Sequence, residues 1–390
     1  MNYKISHPTK VVECEINLPS SKSISNRLLI IKALCEEQFT INNLSNSDDT
    51  KSLQKALNTT DKIIDIDAAG TSFRFLTSYL ATLVGKEFIL TGSDRMKIRP
   101  IKDLVDALLK LGANIEYVEK DGFPPLKITG TNLKGGELQI DGEVSSQFIS
   151  SILLIAPTLK DGILLVLKGD IVSIPYIKMT LDIMKEFGIS YSWEGNKIEI
   201  KAQTYLAKNQ NVEADWSAAS FWYEIASLSD SCTIKLNGLS ENSIQGDKKA
   251  MELFEELGIN SEFKKDILNL TKNEIHSFSK QIDLLSTPDL YQPLKCTLHA
   301  YNLTPEIKGL QTLKNKETDR VLAVDNELKN LNNSKIIETY KDHRMAMSFA
   351  PLCLKYGELQ INNIDVVSKS YPNFWEDLKK GGFIITPITH

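Results

Sequence analysis

Arginine is the rarest charged residue in this 390-residue chain, and its positions suggest where anions bind. The 45 basic residues include six arginines: Arg27, Arg74, Arg95, Arg99, Arg320 and Arg344. A guanidinium binds a carboxylate or phosphate through two parallel hydrogen bonds, which a lysine ammonium cannot copy. Each arginine lies close to a turn rich in Ser, Thr, Gly, Lys, Asp or Glu. We therefore predict an oxyanion site built from most of them, with Arg74, inside an apolar helix, as a structural residue.

Several of these turns stand at the start of an apolar helix. The segment "PSSKSISNRLLIIKAL" places Lys22 and Arg27 around such a start, and "AAGTSFRF" places Gly70 at another. A helix N-terminus exposes unpaired N–H groups and a partial positive charge, so it attracts anions. A third start, "VSSQ", brings three side-chain donors: Ser145, Ser146 and Gln147. The alternative for each segment taken alone is an ordinary helix cap or a tight turn.

Carboxylates accompany the C-terminal arginines. "KETDR" holds Glu317 and Arg320, "KDHRMAM" holds Asp342 and Arg344, and "STPDLYQ" holds Asp289. A carboxylate beside Lys or Arg is usually a surface ion pair, and an Asp at a helix start is usually an N-cap. It acts as a catalytic acid or base only when a cleft holds it and shifts its pKa. These residues alone leave both interpretations open.

Composition restricts the class of protein. Apolar residues make up 42% and charged residues 24%, which is ordinary for a soluble globular chain. No apolar run reaches the roughly 18 residues of a membrane helix, and the N-terminus lacks a signal-peptide pattern. The five cysteines show no metal-binding spacing, and the net charge of −5 argues against nucleic-acid binding. We therefore expect a cytoplasmic protein with reduced thiols and with no nucleic-acid or membrane partner.

A repeated pattern predicts the organisation of the chain. One series of amphipathic helices ends at residues that tolerate a left-handed cap: Asn58, Gly112, Gly188, Gly258, Asn332 and Gly381. A second series begins near Ser25, Thr71, Ser146, Ser217, Asp289 and His343. Six similar units in two lobes of three would explain both series, and the alternative is one irregular α/β fold. We predict an N-terminal lobe of residues 20–213 and a C-terminal lobe of residues 214–390 completed by residues 1–19, with hinges near residues 19–21 and 211–215.

Nine of these segments together, in this order, resemble the 5-enolpyruvylshikimate-3-phosphate synthase family. They are "SKSISNR", "AGTSFR", "LTGSDRMKIRPI", "VSSQF", "SIPYI", "TPD", "KETDR", "DHRMAMSFA" and "SKSYPNFW". The resemblance implies a two-lobed inside-out α/β barrel of six similar β/α repeats, three per lobe, in a monomer. It also implies transfer of the enolpyruvyl group of phosphoenolpyruvate to the 5-hydroxyl of shikimate 3-phosphate, in the shikimate pathway. That chemistry needs an acid and a base, and we expect no metal and no cofactor.

The same resemblance assigns roles by matched motif. Asp289 and Glu317 correspond to the proton-transfer pair, and Lys22 to a catalytic residue that touches both substrates. The shikimate 3-phosphate ligands would be Lys22, Ser23, Arg27, Ser145, Ser146, Gln147, Ser173, Tyr176, Asp289 and Lys316. The phosphoenolpyruvate ligands would be Lys22, Gly70, Arg99, Gln147, Arg320, His343, Arg344 and Lys369.

The chain departs from the family pattern at a few positions. Ser20 stands where Gly is usual, Ala68 and Thr312 stand where Asn is usual, and Tyr291 and Gln292 replace small residues. These changes, with a short segment 58–67, bear on the shape of the phosphoenolpyruvate pocket and on the response to the family inhibitor glyphosate.

Two alternative functions are open at this stage. The related UDP-N-acetylglucosamine enolpyruvyl transferases carry a reactive Cys in the loop that matches "GSDRMKIRP", and this loop has none. A catalytically silent anion-binding homologue is disfavoured because Asp289, Glu317, Lys22 and every expected Arg are present.

Overall fold

Helices and strands alternate along the whole chain, of which the computed structural model describes residues 1–143, 145–275 and 279–388. The chain divides into two units. The central unit is Lys22–Val212, and the terminal unit combines Met1–Ser21 with Glu213–His390. Each unit mixes helices with strands, so the predicted α/β class is confirmed.

The strands are short and are numbered in chain order. They are β1 (Asn2–Ser6), β2 (Val11–Asn17), β3 (Ile41–Asn42), β4 (Ile63–Asp65), β5 (Glu87–Thr91), β6 (Asn114–Tyr117), β7 (Leu126–Thr129), β8 (Gly136–Asp141), β9 (Ile163–Lys168), β10 (Tyr191–Glu194), β11 (Lys197–Ile200), β12 (Gln210–Asn211), β13 (Ser231–Asn237), β14 (Ile259–Lys264), β15 (Ile267–Lys272), β16 (Gln281–Asp283), β17 (Glu306–Lys308), β18 (Ile336–Ile337), β19 (Leu359–Ile361) and β20 (Ile384–Ile388).

The helices are numbered in the same way. They are α1 (Lys22–Leu34), α2 (Asp48–Asn58), α3 (Gly70–Ala81), α4 (Asp94–Lys97), α5 (Lys102–Lys110), α6 (Ser146–Ile155), α7 (Ile174–Glu186), α8 (Trp216–Leu228), α9 (Ala250–Glu255), α10 (Tyr291–Ala300), α11 (Arg320–Asn330), α12 (His343–Phe349), α13 (Cys353–Tyr356) and α14 (Phe374–Lys380). Short 3₁₀ helices lie at Ala156–Thr158, Gly246–Lys249, Pro288–Leu290, Gln311–Asn315, Ala350–Leu352 and Ile364–Lys369.

The central unit contains sheets that combine parallel and antiparallel strands. Its described residues form four-stranded sheets of order β4-β5-β7-β6 and β10-β11-β9-β8, and a parallel pair of β3 with β12. The parallel pairs β4/β5 and β8/β9 are joined along the chain by α3 and α6 respectively. Antiparallel hairpins, β6–β7 and β10–β11, complete each sheet. Residues alternate between buried and exposed along β8 and β11, so one face of this sheet packs on helices.

The terminal unit uses the first strands of the chain. Strand β2 runs parallel to β13 in the sheet β14-β15-β13-β2, from Val11 opposite Ser231 to Asn17 opposite Asn237. Strand β1 lies between β19 and β20, antiparallel to both, in the sheet β18-β19-β1-β20. Strands β16 and β17 form a parallel pair. The first two strands of the chain therefore belong to two different sheets of the terminal unit.

Some helices in each unit are covered on nearly every side. In α8, 12 of 13 residues are buried, and all seven residues of α12 are buried. Helix α3 is similar, with ten of its 12 residues buried. A helix that is apolar all round belongs in a protein core. These three helices therefore belong to the cores of the two units.

The predicted left-handed helix ends are confirmed in the central part of the chain and wrong towards both ends. Gly112, Gly188 and Gly258 have φ of 97°, 84° and 84°, and a hairpin follows each of them. Asn58 ends α2 without a left-handed cap, because Thr59 is extended. Asn332 lies beyond the end of α11 at Asn330 and is not left-handed. At the last position Gly381 has φ of −75° and the left-handed residue is Gly382.

The predicted starts of the second helix series agree better with the structure than the predicted helix ends do. Helices α3, α6, α8 and α12 begin within one residue of the predicted positions. Helix α1 begins at Lys22, three residues before Ser25, so Ser23 and Ser25 lie in its first turn. Asp289 lies in the 3₁₀ turn Pro288–Leu290, and α10 begins at Tyr291.

The remaining structural predictions concern thiols and membranes. All five cysteines are free, four of them buried and Cys14 partly so. Within the described residues no helix has the length and apolar character that a membrane crossing requires.

We predict that Glu224 makes the stability of the protein depend on pH. Its side chain is 0% exposed in α8, and neither carboxylate oxygen has a hydrogen-bond partner among the described residues. Burial disfavours the charged form and raises the pKa of Glu224 well above its ordinary value. The folded protein therefore keeps this proton to a higher pH than the unfolded chain, whose Glu titrates near about 4.3. Above that pH the group should lower the free energy of unfolding by up to about 1.4 kcal/mol per pH unit.

Urea unfolding between about pH 5 and about pH 8 tests this prediction. The Glu224→Gln variant cannot ionise at this position and should lose this part of the pH dependence. Its free energy of unfolding should therefore rise relative to that of the unchanged protein as the pH increases. Glu252→Gln, at an exposed position in α9, is the matched control. Parallel stability curves for the unchanged protein and Glu224→Gln would contradict the prediction.

Candidate active site

Three helix N-termini meet in the central unit. Lys22, the first residue of α1, forms an ion pair of 3.0 Å with Oδ2 of Asp49 in the first turn of α2. The Asp49 carbonyl accepts a hydrogen bond of 2.9 Å from the Ser72 hydroxyl in α3. Lys22 is therefore held at a point where the positive ends of three helices adjoin, which favours a nearby anion.

Helix α6 joins the same group through Gln147. Its amide nitrogen Nε2 donates to the Thr71 hydroxyl across 3.0 Å, and its backbone N–H donates to the Ser145 hydroxyl across 3.3 Å. Ser145 is thus the N-cap of α6, and Ser146 is the first, partly buried residue of the helix. The capping alternative is correct for Ser145, but it leaves the hydroxyl of Ser146 beside the helix end.

Gly70 and Arg99 are in close contact. A methyl group added at Gly70 would lie 2.4 Å from Nη1 of Arg99, so the guanidinium occupies the space that the missing side chain leaves. Arg74 acts differently: its Nη1 donates to the Gly70 carbonyl at 3.0 Å and to the Met96 sulfur at 3.4 Å. Its guanidinium also lies 5.9 Å from the centre of the Phe148 ring. Arg74 supports the turn, as predicted, while Arg99 packs against the open side of Gly70.

Arg27 is a buried cation surrounded by neutral groups. Its side chain donates to the hydroxyls of Thr180 and Ser150 and to the carbonyls of Ser23 and Tyr176, at 2.8 to 3.3 Å. Burial lowers the pKa of Arg27 to about 10, and no carboxylate of the described chain pairs with it. A buried charge without a counter-ion is costly, so an anion bound here would offset an existing penalty.

The remaining predicted ligands of the central unit lie at the start of α7. Ser173 is its N-cap residue, 5% exposed and left-handed with φ of 54°. Tyr176, in the first turn, supplies the carbonyl that Arg27 binds. The left-handed conformation is uncommon for a serine and marks a specialised turn.

The terminal unit gathers its charges around Arg320. This residue begins α11 and is 2% exposed. Its guanidinium donates from Nε to Asp342, from Nη1 to Asp289 and from Nη2 to Glu317, at 2.8, 2.9 and 2.8 Å. Burial alone would lower the pKa of Arg320, but the three carboxylates outweigh it and raise that pKa.

Three cations of the terminal unit surround the carboxylate of Asp289. Arg344 donates to its Oδ2 at 3.2 Å and to its carbonyl at 3.0 Å, and Lys316 Nζ lies 3.6 Å from Oδ1. Burial would raise the pKa of Asp289, but Arg344, Lys316 and Arg320 hold it well below its ordinary value. Asp289 is therefore ionised at neutral pH, as a proton acceptor must be.

Glu317 and His343 complete this cluster. Glu317 accepts from Arg320 through Oε2 and pairs with Lys369 through Oε1, at 2.8 Å in both cases. His343 is 2% exposed, begins α12 and has Nδ1 3.7 Å from Oδ1 of Asp342. The structure therefore brings together every predicted residue of the terminal unit: Asp289, Lys316, Glu317, Arg320, His343, Arg344 and Lys369.

Two buried acids near these clusters, Asp247 and Asp49, were not predicted from the sequence. Asp247 binds the Ser217 hydroxyl, and burial together with the nearby Asp289 raises its pKa to about 6, against the opposing effect of Arg344. It follows Gln-Gly and precedes two lysines, so it resembles a surface residue. Asp49 stands beside Asp48 in the first turn of α2, where an acid is expected for the helix dipole alone. Their only signal is position beside a turn, which many solvated acids share.

The two clusters contain no site for a metal. In the described ranges no group of His, Cys, Asp and Glu side chains could hold a metal ion. The carboxylates pair instead with Lys and Arg, an arrangement suited to binding and exchanging anions.

Comparisons with known proteins give the family. A model of EPSP synthase (3-phosphoshikimate 1-carboxyvinyltransferase) matches residues 6–60 and 53–378. The chain belongs to the EPSP synthase family. A relative from Bacteroides fragilis, named 3-phosphoshikimate 1-carboxyvinyltransferase, is 46% identical over 405 residues, or 98% of each chain. One of the same name from Psychromonas ingrahamii is 34% identical over 428 residues, covering 97% of this chain and 99% of its own.

Solved structures support the fold of this EPSP synthase family member. The EPSP synthase from Acinetobacter baumannii is similar with a TM-score of 0.79 over 100% of both chains, at 20% sequence identity. The family match confirms the resemblance inferred from the motifs. It does not favour the UDP-N-acetylglucosamine enzyme or a silent homologue.

We predict stability effects of very different size for the two best-buried arginines. Arg320→Met leaves three carboxylates without their shared cation, so it should lower the free energy of unfolding by about 3–5 kcal/mol. Arg27→Met removes a cation whose partners are neutral, so the change should be below about 1 kcal/mol. Urea unfolding of the ligand-free proteins at neutral pH measures both. Equal losses in the two variants would contradict the pairing described above.

Proposed function

We propose that the protein transfers the enolpyruvyl group of phosphoenolpyruvate to the 5-hydroxyl of shikimate 3-phosphate and releases phosphate, in the shikimate pathway. The observation that carries the proposal is the cluster in which Asp289 and Glu317 share Arg320. A low-pKa carboxylate and a second carboxylate among cations suit an addition that needs a base and an acid. Its relatives, named 3-phosphoshikimate 1-carboxyvinyltransferase, support the same reaction.

The chemistry balances without a further reactant. The methylene carbon of phosphoenolpyruvate takes a proton, and the oxygen of the 5-hydroxyl attacks the neighbouring carbon while a base removes the hydroxyl proton. The tetrahedral adduct then loses a proton from its new methyl group and expels phosphate, which restores the carbon–carbon double bond. The net change is one carbon–oxygen bond exchanged for another, with no oxidation.

We assign the base to Asp289 and the acid to Glu317. The cations around Asp289 keep it ionised, so it can accept the hydroxyl proton. Glu317 shares Arg320 and Lys369, which the anions of phosphoenolpyruvate would also attract. When those anions bind, the cations favour the charged form of Glu317 less, and this carboxylate can take up the proton that the reaction needs.

The ligand roles divide by substrate. For shikimate 3-phosphate, the neutral surroundings of Arg27 and the adjacent start of α7 support the assignment of Ser23, Arg27, Ser173 and Tyr176. The helix starts at Lys22 and Ser145 support phosphate and hydroxyl contacts from Lys22, Ser145, Ser146 and Gln147. For phosphoenolpyruvate, the proposed ligands are Lys22, Gly70, Arg99, Gln147, Arg320, His343, Arg344 and Lys369. Asp289 and Lys316 complete the set for shikimate 3-phosphate.

We also propose the finer architecture that the resemblance implies. The described residues form six sheets, three in each unit, and each contains a parallel strand pair. This regularity supports six β/α repeats in two inside-out barrels, with lobes of residues 20–213 and of residues 1–19 with 214–390. The unit boundary between Ser21 and Lys22 adjoins segment 19–21, and that between Val212 and Glu213 falls within 211–215, which supports hinges there. The five free cysteines support a protein working in the reducing cytoplasm, and the resemblance implies a monomer.

A phosphate-release assay tests the proposed reaction. Purified protein should release phosphate from phosphoenolpyruvate only when shikimate 3-phosphate is present. UDP-N-acetylglucosamine in place of shikimate 3-phosphate should give no release. Release without an acceptor, or with the nucleotide sugar alone, would overturn the proposal.

We predict that replacing either carboxylate lowers kcat, and that deuterium uptake distinguishes the acid from the base. Asp289→Ala should leave the binding of both substrates largely intact and lower kcat by about 10²- to 10⁴-fold, the range for a lost acid or base. Glu317→Gln should lower kcat similarly and slow deuterium uptake from D₂O into the methylene of phosphoenolpyruvate. Exposed Glu252→Gln serves as the control for both measurements. If Asp289→Ala retains most of its kcat, the aspartate is only a structural ion-pair partner.

A further inference from the structure

We propose that Asp342 is a positioning residue for the enolpyruvyl transfer, which orients the two arginines assigned to phosphoenolpyruvate. The inference rests on the proposed function, and adds to it a residue outside the assigned ligands. Asp342 is 0% exposed and is the N-cap of α12. It is therefore removed from solvent and would act through Arg320 and Arg344.

Both oxygens of Asp342 are used, each on a different helix. Oδ2 accepts from Nε of Arg320 at 2.8 Å, and Oδ1 accepts from the backbone N–H of Arg344 at 2.9 Å. Arg320 is the first residue of α11, and Arg344 is the second residue of α12. A single carboxylate thus joins the N-terminal ends of two helices whose arginines lie in one cluster.

The contact with Nε sets the direction of the Arg320 guanidinium. With its Nε edge bound to Asp342, both Nη atoms point to Asp289 and Glu317. A planar guanidinium binds carboxylate or phosphate well only in the right orientation. Without the Nε bond the group could rotate about its last torsions, and its Nη edge would lose this direction.

The hydrogen bond from the Arg344 backbone N–H to Asp342 helps to position the side chain of Arg344. Its N–H is fixed by Asp342, while its side chain reaches the Asp289 carbonyl at 3.0 Å and carboxylate at 3.2 Å. The side chain also lies 6.0 Å from the centre of the Phe221 ring. Asp342 therefore fixes the backbone position of Arg344, and Asp289 fixes the position of its guanidinium.

Exposure separates Asp342 from the other carboxylates on Arg320. The side chains of Asp289 and Glu317 are 18% and 14% exposed, and that of Asp342 is 0% exposed. An incoming anion could take the place of the first two, but it has no access to the third. Asp342 is therefore the counter-charge that stays in place when substrate arrives.

Asp342→Asn is the direct test, because it keeps the size of the side chain and can still cap α12. Asp342 accepts with both oxygens, whereas Asn has one acceptor oxygen. When that oxygen caps α12, the NH₂ group of the amide faces Nε of Arg320, and two donors cannot bond, so the orientation should be lost. We expect KM for phosphoenolpyruvate to rise and its kcat/KM to fall by about 10- to 100-fold, with KM for shikimate 3-phosphate within about threefold of the unchanged protein. A merely structural role would reduce the active fraction and leave both KM values unchanged.

Asp319→Asn is the matched control. Asp319 caps α11 through Leu322 at 3.2 Å, one residue before Arg320, so the variant alters a helix cap in the same unit. It should leave both KM values within about twofold of the unchanged protein. Asp342→Ser provides a second variant that keeps a capping hydroxyl and cannot hold Nε, and it should behave as Asp342→Asn does.

A double variant shows whether Asp342 acts through Arg320. Adding Asp342→Asn to Arg320→Lys should reduce kcat/KM for phosphoenolpyruvate little beyond the loss in Arg320→Lys alone. Fully additive losses, an unchanged KM for phosphoenolpyruvate in both Asp342 variants, or their failure to fold would overturn the positioning role. If the unchanged protein releases no phosphate with both substrates, it is the proposed function that fails.

Discussion

The burial of Arg320 among three carboxylates is the interaction on which the terminal unit depends. Moving an ion out of water costs several kcal/mol, so a buried guanidinium persists only if nearly all its donors meet acceptors of opposite charge. Asp342, Asp289 and Glu317 meet that requirement from three different segments. The ends of α11 and α12 and the 3₁₀ turn before α10 must therefore be placed within hydrogen-bond distance of one side chain.

Arg27, the best-buried arginine of the central unit, has the opposite kind of surroundings. Among the described residues Arg27 hydrogen-bonds only to hydroxyl and carbonyl oxygens, and burial lowers its pKa to about 10. One unit thus holds cations already paired with carboxylates, and the other holds a cation that lacks such a partner. The first arrangement suits exchange of a carboxylate for a substrate anion, and the second suits capture of an anion that stays bound throughout. In both units many of the proposed site residues lie at or near helix N-termini.

Residue types and local motifs predicted the charged clusters and several helix ends. They did not predict features that depend on contacts between distant parts of the chain. The use of Arg in place of Lys predicted the charged clusters, since bidentate anion recognition has no Lys substitute. Glycine predicted left-handed helix ends at Gly112, Gly188 and Gly258, where it alone avoids a steric cost. The same prediction failed at Asn58 and Asn332, because Asn adopts that conformation only when its surroundings require it. Asp247 and Asp49 look like solvated acids in sequence, and only the folded chain buries them.

The scarcity of arginine provides the most direct test of the account. With six arginines in the chain, protein labelled with [¹⁵N]arginine gives few side-chain N–H signals, which single Arg→Lys variants assign. The account predicts that shikimate 3-phosphate shifts the signal of Arg27, and that phosphoenolpyruvate added next shifts those of Arg99, Arg320 and Arg344. Arg74, which supports the Gly70 turn, should shift less than any of them. Unchanged signals from Arg320 and Arg344 while phosphate is being released would contradict the claim that substrate anions bind these buried cations.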